Sequence, residues 1–154
     1  MITSPPLSKQ VYILDNNILF YPSPARNLVI NKIREKGEHN VWLSVIAVYE
    51  KLVGGVLSTF KNTLNTKHEA LGFQTLMEHV LKLAEFQILP FTEQDVANYK
   101  IIYDVVKKSP MDCRYAASAK SRNWIVITHD SKDFSRISSK TGVEYEDWSI
   151  VPPK

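Results

Sequence analysis

Four acidic side chains lie at positions in or next to predicted buried strands and helices, where a soluble α/β protein seldom has a carboxylate without a structural or functional role. Asp15 and Asp130 each follow an apolar run that predicts a buried strand, Asp112 opens a predicted helix, and Glu50 lies mid-helix among apolar neighbours. Carboxylates brought together repel one another and lose hydration, so they need cations to balance them. The pattern therefore predicts a divalent-metal site, and phosphoryl chemistry is the natural use of such a site.

Two of these acids differ in how well a purely structural role explains them. Asp15 could cap a short following helix, a position where Asp is favoured, but it also lies at the carboxyl end of a predicted parallel strand, where α/β proteins bind ligands. Glu50 shares a helix face with Ile46 and Val53, so an acid interrupts the stripe that should meet the core. A buried Glu bonded to the backbone is the alternative, and we favour a functional role.

The other two acids lie at predicted helix starts, where capping competes with a functional role. Ser109 and Pro110 precede Asp112 in a pattern typical of a helix N-terminus, and capping alone explains that acid. Asp130 follows a strand, with Asp133 one turn further on. We expect at most one of these two to bind a metal directly, and favour Asp130, with Asp133 behind it or at the surface. Independent capping does not account for the mid-helix acid, so the four together favour a site.

Oxygen ligands alone favour Mg²⁺ or Mn²⁺ over zinc. A zinc site would need His and Cys at metal-ligand spacing, and the histidines at positions 39, 68, 79 and 129 show none. We interpret His129, beside Asp130, as a surface loop residue.

Alternating short apolar runs and longer helical patterns predict an α/β fold with a parallel sheet covered on both faces. The predicted strands cover residues 11–15, 41–44, 86–89, 124–128 and 143–145. The predicted helices cover residues 23–36, 45–60, 67–84, 92–107, 111–121 and 131–138. Gly54-Gly55 is expected to bend or interrupt the second helix.

Two predicted helices carry apolar stripes that we interpret as core or subunit contact. The stripe of the third helix comprises Phe73, Leu76, Met77, Val80, Leu81 and Ala84. The stripe of the fourth comprises Val96, Tyr99, Ile102, Tyr103 and Val106. Thr92 and Asp95 are predicted to form a capping pair at the start of the fourth helix.

The composition suits one soluble globular domain, with 154 residues, 44% hydrophobic and 23% charged. We divide the chain into a loose arm over residues 1–10, one domain over 11–149 and a tail over 150–154. The single cysteine, Cys113, excludes an internal disulfide and fits a reducing cytoplasm. We see neither a signal peptide nor an apolar run long enough for a membrane span, so we expect a cytoplasmic protein that does not bind a membrane.

The formal net charge of +3 is a mild bias, and a merely soluble surface explains it equally well. If four acids gather in one cleft, the rest of the surface is more positive than the total suggests, and that rim could hold a polyanion. The basic side chains near the third and fourth acids in sequence are Lys107, Lys108, Lys120, Arg122, Lys132 and Arg136. Each of them could bind a phosphate backbone or could simply be a solvated side chain at a helix end.

Four blocks of this sequence resemble the PIN-domain nucleases, and among them the VapC-type ribonuclease toxins of bacterial toxin–antitoxin pairs. The blocks are Leu14–Leu19, Leu43–Ile46 continuing to Tyr49–Gly54, Met111-Asp112 with Ala116–Ala119, and Ile125–Asp130 through Asp133-Phe134. Their order and spacing carry the resemblance, which spans about residues 11–149.

The resemblance implies a three-layer α/β/α sandwich around a central parallel sheet of four to five strands. It also implies that the four acids, Asp15, Glu50, Asp112 and Asp130, bind Mg²⁺ or Mn²⁺ as the catalytic residues. Asn17 and Thr128 match family positions that orient ligands or water. The implied substrate is RNA, and the implied partners are an antitoxin and a second copy of the chain.

The sequence departs from the family pattern in three places. Asn16 stands where the family usually has threonine, Cys113-Arg114-Tyr115 is more polar than the common apolar triplet, and Ser109-Pro110 stands where a glycine often precedes the third acid. Because the acids are intact, these changes affect the expected substrate preference and fine geometry rather than the metal site.

The expected mechanism is attack of a metal-activated water on an RNA phosphate, with Asp15 and Asp112 holding the metal and Glu50 and Asp130 completing the site. Two other classes remain open at this stage. A flavodoxin-like receiver or phosphatase also gathers acids at strand ends, and a catalytically silent PIN-like scaffold could serve protein contact.

Overall fold

A computed structural model describes residues 10–19 and 25–151 of the chain. The five strands are β1 (Tyr12–Leu14), β2 (Val41–Ser44), β3 (Gln87–Leu89), β4 (Ile125–Ile127) and β5 (Tyr145–Glu146). The helices are α1 (Asn16–Leu19), α2 (Ala25–Lys36), α3 (Val45–Lys51), α4 (Leu57–Lys61), α5 (Glu69–Ala84), α6 (Glu93–Val106), α7 (Pro110–Arg122) and α8 (Ser131–Thr141). Most of the predicted arm (residues 1–9), the start of the first predicted helix and the end of the tail (152–154) lie outside the described residues.

The strands form one parallel sheet in the order β3-β2-β1-β4-β5. In the central strand Tyr12, Ile13 and Leu14 are all buried, although successive side chains point to opposite faces of a sheet. Both faces are therefore covered, as expected for parallel strands joined by helices. The predicted α/β/α sandwich is confirmed, and all five strands lie where the sequence predicts them, the last beginning two residues later.

Because β1 and its neighbours β2 and β4 are parallel, their carboxyl ends meet at one edge of the sheet. Asp15, Ser44 and Thr128 follow or end these three strands, and all three are buried. Helix α7 packs closely beneath this edge, with Ala116, Ala117 and the following small residues fully or almost fully buried. The fold thus places polar side chains at the end of an otherwise apolar sheet.

The second predicted helix is interrupted, as expected from its two glycines. Between α3 and α4 the backbone forms a wider π-helical turn over Leu52–Val56, which contains Gly54 and Gly55. Val53 is 48% exposed in this turn, so the apolar stripe expected around Glu50 continues only on the side of Ile46. The helical face that carries Glu50 therefore changes from buried to exposed within one turn.

The stripe on α5 is predicted to be core or subunit contact, and the core alternative is wrong. Leu71, Phe73, Met77 and Leu81 are each more than half exposed, whereas Leu83 is buried. The periodicity identifies an apolar face correctly, but the rest of the described chain does not cover most of it.

Two predicted helix starts have opposite outcomes. The capping pair of α6 is confirmed, because the Thr92 hydroxyl accepts from the Asp95 amide and the Asp95 carboxylate accepts from the Thr92 amide. Ser109 precedes α7 as predicted, but its side chain makes no capping hydrogen bond and its φ of 49° is left-handed.

Candidate metal centre

Asp15 is held at the centre of the sheet edge by its neighbours on β4. Its amide donates to the Ile127 carbonyl at 2.9 Å, and its carboxylate accepts from the Thr128 hydroxyl at 2.8 Å. Burial raises the pKa of this carboxyl group to about 6, the Thr128 hydrogen bond opposes the rise, and the charge of Glu50 adds to it. Asp15 is therefore oriented by hydrogen bonds but not neutralised by them.

Asp112 lies in the first turn of α7 and faces the other acids. Its pKa is raised to about 7, first by burial and then by the charges of Asp15, Asp130, Asp133 and Glu50. Each of these four carboxylates is thus near enough to disfavour a charge on Asp112. The structure brings together all four acids singled out in the sequence.

Asp130 and Asp133 both belong to this cluster. The Asp130 carboxylate caps α8 by accepting from the Asp133 amide at 3.3 Å, so the capping interpretation of Asp130 holds alongside any role in the site. Asp112, Asp130 and Asp133 each offer one carboxylate oxygen, and these three atoms lie within 4.8 Å of one another. Asp133 therefore faces the same point as the other two, although the sequence favoured only Asp130.

Glu50 reaches the site from α3 and is fixed by a residue that the sequence reasoning did not select. The hydroxyl of Tyr115, on α7, donates to Glu50 Oε1 at 2.6 Å and accepts from the Asn16 amide at 3.3 Å. Tyr115 has no exposed surface. The only signal in the sequence is its position three residues after Asp112, on the same face of the helix.

Asn17 and Thr128 tie the first acid-bearing loop to the last. The Asn17 side-chain oxygen accepts from the His129 amide at 3.1 Å. The Thr128 hydroxyl donates to Asp15 and accepts from the Asp130 amide at 3.0 Å, so one hydroxyl links two acids. His129 Nδ1 lies 2.8 Å from the Ser149 hydroxyl, which contacts Asp147, so this histidine faces the C-terminal segment. The predicted orienting roles of Asn17 and Thr128 remain predictions, but both side chains contact the acid-bearing loops.

The charge of the cluster is poorly balanced by the protein. Within the described part of the chain, no salt bridge involves Asp15, Glu50, Asp112 or Asp130, and only Asp133 has a cationic partner, Arg136 at 3.3 Å. Oxygen donors with excess negative charge are the ligands that hard divalent cations prefer. The residues present therefore fit Mg²⁺ or Mn²⁺ better than a softer metal.

The basic side chains named in the sequence analysis do not all surround the acids. Arg122 forms a hydrogen-bonded ion pair with buried Asp95 at 2.8 Å, and with Lys120 it lines a groove near the amino ends of β1 and β4. Lys120 and Arg122 follow Asp112 by 8 and 10 residues on α7, about 12–15 Å along the helix axis, so these two cations lie well away from Asp112. Of the other four, Arg136 lies at the site because it pairs with Asp133, Lys132 is in the first turn of α8, and Lys107 and Lys108 precede α7 in the chain.

A groove of about 740 Å³ lies away from the acids, between α2 and the carboxyl end of α5. Val29, Ile33 and Phe86 contribute to its walls, and none of the five clustered acids lines it. The candidate centre is therefore an open edge of the sheet rather than this groove.

Comparison with known proteins agrees with this geometry. A family model described as PIN domain matches residues 12–140. The chain belongs to the PIN domain family. The matched range contains all five clustered acids, Asp15, Glu50, Asp112, Asp130 and Asp133.

The relatives of this PIN domain have similar lengths. Ribonuclease VapC1 from Haemophilus influenzae is 25% identical over 145 residues, which is 90% of this chain and 98% of that protein. The solved FitAcB from Neisseria gonorrhoeae is 26% identical, with a TM-score of 0.66 over 92% of this chain and 100% of the other. VapBC-1 from nontypeable Haemophilus influenzae has a TM-score of 0.68 at 22% identity, over 92% and 100% of the two chains.

No helix within residues 10–19 and 25–151 combines the length and the apolar character that a membrane span requires.

Proposed function

We propose that this PIN-domain protein is a Mg²⁺- or Mn²⁺-dependent endoribonuclease that hydrolyses RNA phosphodiester bonds. The observation that carries the proposal is the meeting of five carboxylates at one sheet edge, four of them without a cationic partner among the described residues. Such crowding is costly unless an external cation binds there. The relative named Ribonuclease VapC1 supports the choice of RNA as substrate.

In this proposal Asp15, Glu50, Asp112 and Asp130 are the metal-binding and catalytic residues. Mg²⁺ or Mn²⁺ bound there would lower the pKa of a water molecule and would offset the negative charge that develops on the phosphate. The chain contributes the orientation of its ligands. Thr128 holds one oxygen of Asp15, and the backbone of α8 holds one oxygen of Asp130. Asp133 joins this set because its oxygen lies with those of Asp112 and Asp130.

The test is cleavage of a defined panel of tRNA and mRNA by the purified protein, with MgCl₂, with MnCl₂ and with EDTA. Asp15→Asn keeps the size of the side chain and one acceptor oxygen but removes its charge. We expect it to lower the cleavage rate by about 10²–10³-fold, the usual effect of removing one preorganised electrostatic group. Asp104→Asn, on an exposed position of α6, is the matched control and should cleave at the wild-type rate.

Three results would count against the proposal in different ways. Full activity of Asp15→Asn in MgCl₂ would remove the metal mechanism, and unchanged activity in EDTA would do the same. Absence of cleavage by the wild-type protein across the panel, with Mn²⁺ bound, would favour the catalytically silent PIN-like module.

We also propose that the protein is the toxin of a toxin–antitoxin pair, acting in the cytoplasm. The structural similarity to VapBC-1 supports an antitoxin as partner. The exposed apolar side chains of α5, Leu71, Phe73, Met77 and Leu81, are suited to contact with that partner or with a second copy of the chain.

Growth provides the test of the toxin proposal. Expression of the wild-type chain should arrest growth, Asp15→Asn should not, and co-expression of a small protein encoded beside it should restore growth. Light scattering of the purified chain, alone and with that protein, measures whether a dimer or a hetero-complex forms. Cleavage of RNA without any growth defect would support a PIN-domain nuclease outside any toxin–antitoxin pair.

A further inference from the structure

Tyr115 connects three segments that carry the acids of the site. It lies on α7, three residues after Asp112, and its hydroxyl contacts Glu50 on α3 and the amide of Asn16, the residue after Asp15. The side chain is fully buried, so water does not compete for these bonds. The Tyr115 hydroxyl therefore links α7, which carries Asp112, to the segments that carry Asp15 and Glu50.

We propose that Tyr115 is a positioning residue that holds the Glu50 carboxylate in the orientation required to bind the divalent cation. The inference rests on the proposed function, because it assumes that a cation binds among these acids. Tyr115 does not itself contact the reacting atoms in this proposal. Its effect on the reaction passes through Glu50.

The hydrogen-bonding capacity of a phenol supports this assignment. A tyrosine hydroxyl has one proton to donate, and here that proton is directed to Glu50 Oε1 while the phenol oxygen accepts from a backbone amide. In the part of the chain that the structure describes, no hydrogen bond is made to Oε2, the second oxygen of Glu50, so this oxygen is available to another partner. A phenol, whose ordinary pKa is about 10, is a protonated donor at neutral pH.

The freedom of Glu50 explains why such a donor matters. A glutamate has three rotatable side-chain bonds, and fixing them on binding a ligand costs entropy. Glu50 is only partly buried and borders the exposed turn around Val53, so apolar packing alone does not confine it. A hydrogen bond of 2.6 Å to one oxygen confines the carboxylate before the cation arrives.

Tyr115→Phe is the direct test, because it removes the hydroxyl and keeps the ring. Mn²⁺ binding is measured by titration calorimetry on the wild type, Tyr115→Phe, Glu50→Gln and the double variant. We expect Tyr115→Phe to weaken Mn²⁺ binding about 10-fold, the usual effect of losing a group that orients a metal ligand. The same change should have almost no effect in the Glu50→Gln background, because the ligand that Tyr115 orients is already impaired. The Mn²⁺ concentration for half-maximal cleavage should rise by the same factor, while kcat at saturating Mn²⁺ changes little.

Tyr12→Phe is a matched control. Tyr12 is also a buried tyrosine on this sheet, but its hydroxyl donates to Gln10 near the amino end of β1, away from the acids. It should bind Mn²⁺ as the wild type does. Melting temperatures in EDTA report on the fold of each variant separately from metal binding.

The inference is overturned if Tyr115→Phe binds Mn²⁺ as tightly as the wild type, or if its loss is equally large with Glu50→Gln. If Tyr115→Phe does not fold, 3-fluorotyrosine at position 115 of the otherwise unchanged chain replaces it. Its ¹⁹F signal should then shift on adding Mg²⁺ with Glu50 present and not with Glu50→Gln, and no shift in either protein overturns the inference. A wild type that neither binds Mn²⁺ nor cleaves RNA would refute the proposed function itself, whereas normal wild-type behaviour with an unaffected Tyr115→Phe refutes only the role of Tyr115.

Discussion

Neutralising Asp112 should stabilise the metal-free protein while impairing its activity. The pKa of Asp112 is raised from 3.8 to about 7, by burial and by four neighbouring acids. Because the folded-state pKa lies above the unfolded one, the folded protein holds this proton more tightly, and raising the pH favours unfolding. The stability associated with the proton is fully present below about pH 4 and is lost as the pH rises to about 7.

The size of the effect follows from the shift. At about 1.36 kcal/mol per pKa unit, the rise from 3.8 to about 7 corresponds to roughly 4 kcal/mol above pH 7. The carboxylate is partly exposed, and solvent screening reduces this to roughly 2 kcal/mol. An acid in the first turn of a helix also gains about 0.5 kcal/mol from the helix dipole, which Asp112→Asn gives up. The expected net gain for Asp112→Asn at pH 8 is therefore about 1–2 kcal/mol.

Urea unfolding in EDTA measures this gain at pH 5 and pH 8. Asp112→Asn should be more stable than the wild type at pH 8, and its advantage should be smaller at pH 5. Adding Mn²⁺ at 100 times its Kd should stabilise the wild type by about 2.7 kcal/mol and reverse the order, since a cation stabilises the state that binds it.

Asp104→Asn controls for the change in net charge. It removes one negative charge from an exposed position of α6, and the free energy of unfolding should be nearly unchanged at both pH values. If Asp112→Asn is less stable than the wild type at pH 8 in EDTA, the folded protein favours the charged form of Asp112 instead of disfavouring it. The electrostatic basis of the metal site would then be wrong.

Two further predictions concern packing away from the site. Arg122→Met leaves the buried Asp95 carboxylate without its cation and should cost about 3 kcal/mol in urea unfolding at pH 7, with the cleavage rate of the folded protein unchanged. Burial would raise the Asp95 pKa, but its hydrogen bonds from Arg122 and its neighbours lower it, so this stabilisation should exist above about pH 4 and fade below it. Gly72→Ala places a Cβ 2.1 Å from Thr63 Oγ1 and should cost about 1–3 kcal/mol by the same method. Gly54→Ala meets no atom within 4 Å and should be neutral or gain up to about 1 kcal/mol, so equal effects at the two glycines would contradict the packing between α4 and α5.

The parts of the fold that depend on local pattern are the parts that the sequence predicts well. Short apolar runs between helical segments predict all five strands, and Gly54-Gly55 predicts the interruption after α3. The stripe on α5 shows where such reasoning ends. Its spacing gives a helix with one apolar face, but the same spacing serves a core helix and an interface helix, and only tertiary structure shows that Phe73 and Met77 are exposed.

The candidate site divides in the same way. The acids at strand ends are predictable because the carboxyl ends of parallel strands must meet, whatever the details of the loops. The sequence offers no firm physical basis for preferring Asp130 to Asp133, because two acids three residues apart at a helix start both face the same turn. The bond between Tyr115 and Glu50 could not be foreseen either, since it joins residues 65 positions apart and depends on how α3 and α7 pack.

Asp95 and the clustered acids differ in how the protein compensates their charge. Where this chain buries a carboxylate for structure alone, it supplies Arg122 as a direct counter-charge. At the sheet edge it supplies the hydroxyls of Thr128 and Tyr115, which orient Asp15 and Glu50 but carry no charge. A hydroxyl orients a carboxylate but does not neutralise its negative charge. That remaining charge is what would attract an external cation. Among the described residues, the chain pairs Asp95 internally but gives Asp15, Glu50, Asp112 and Asp130 no cationic partner, and this contrast supports the proposed metal site.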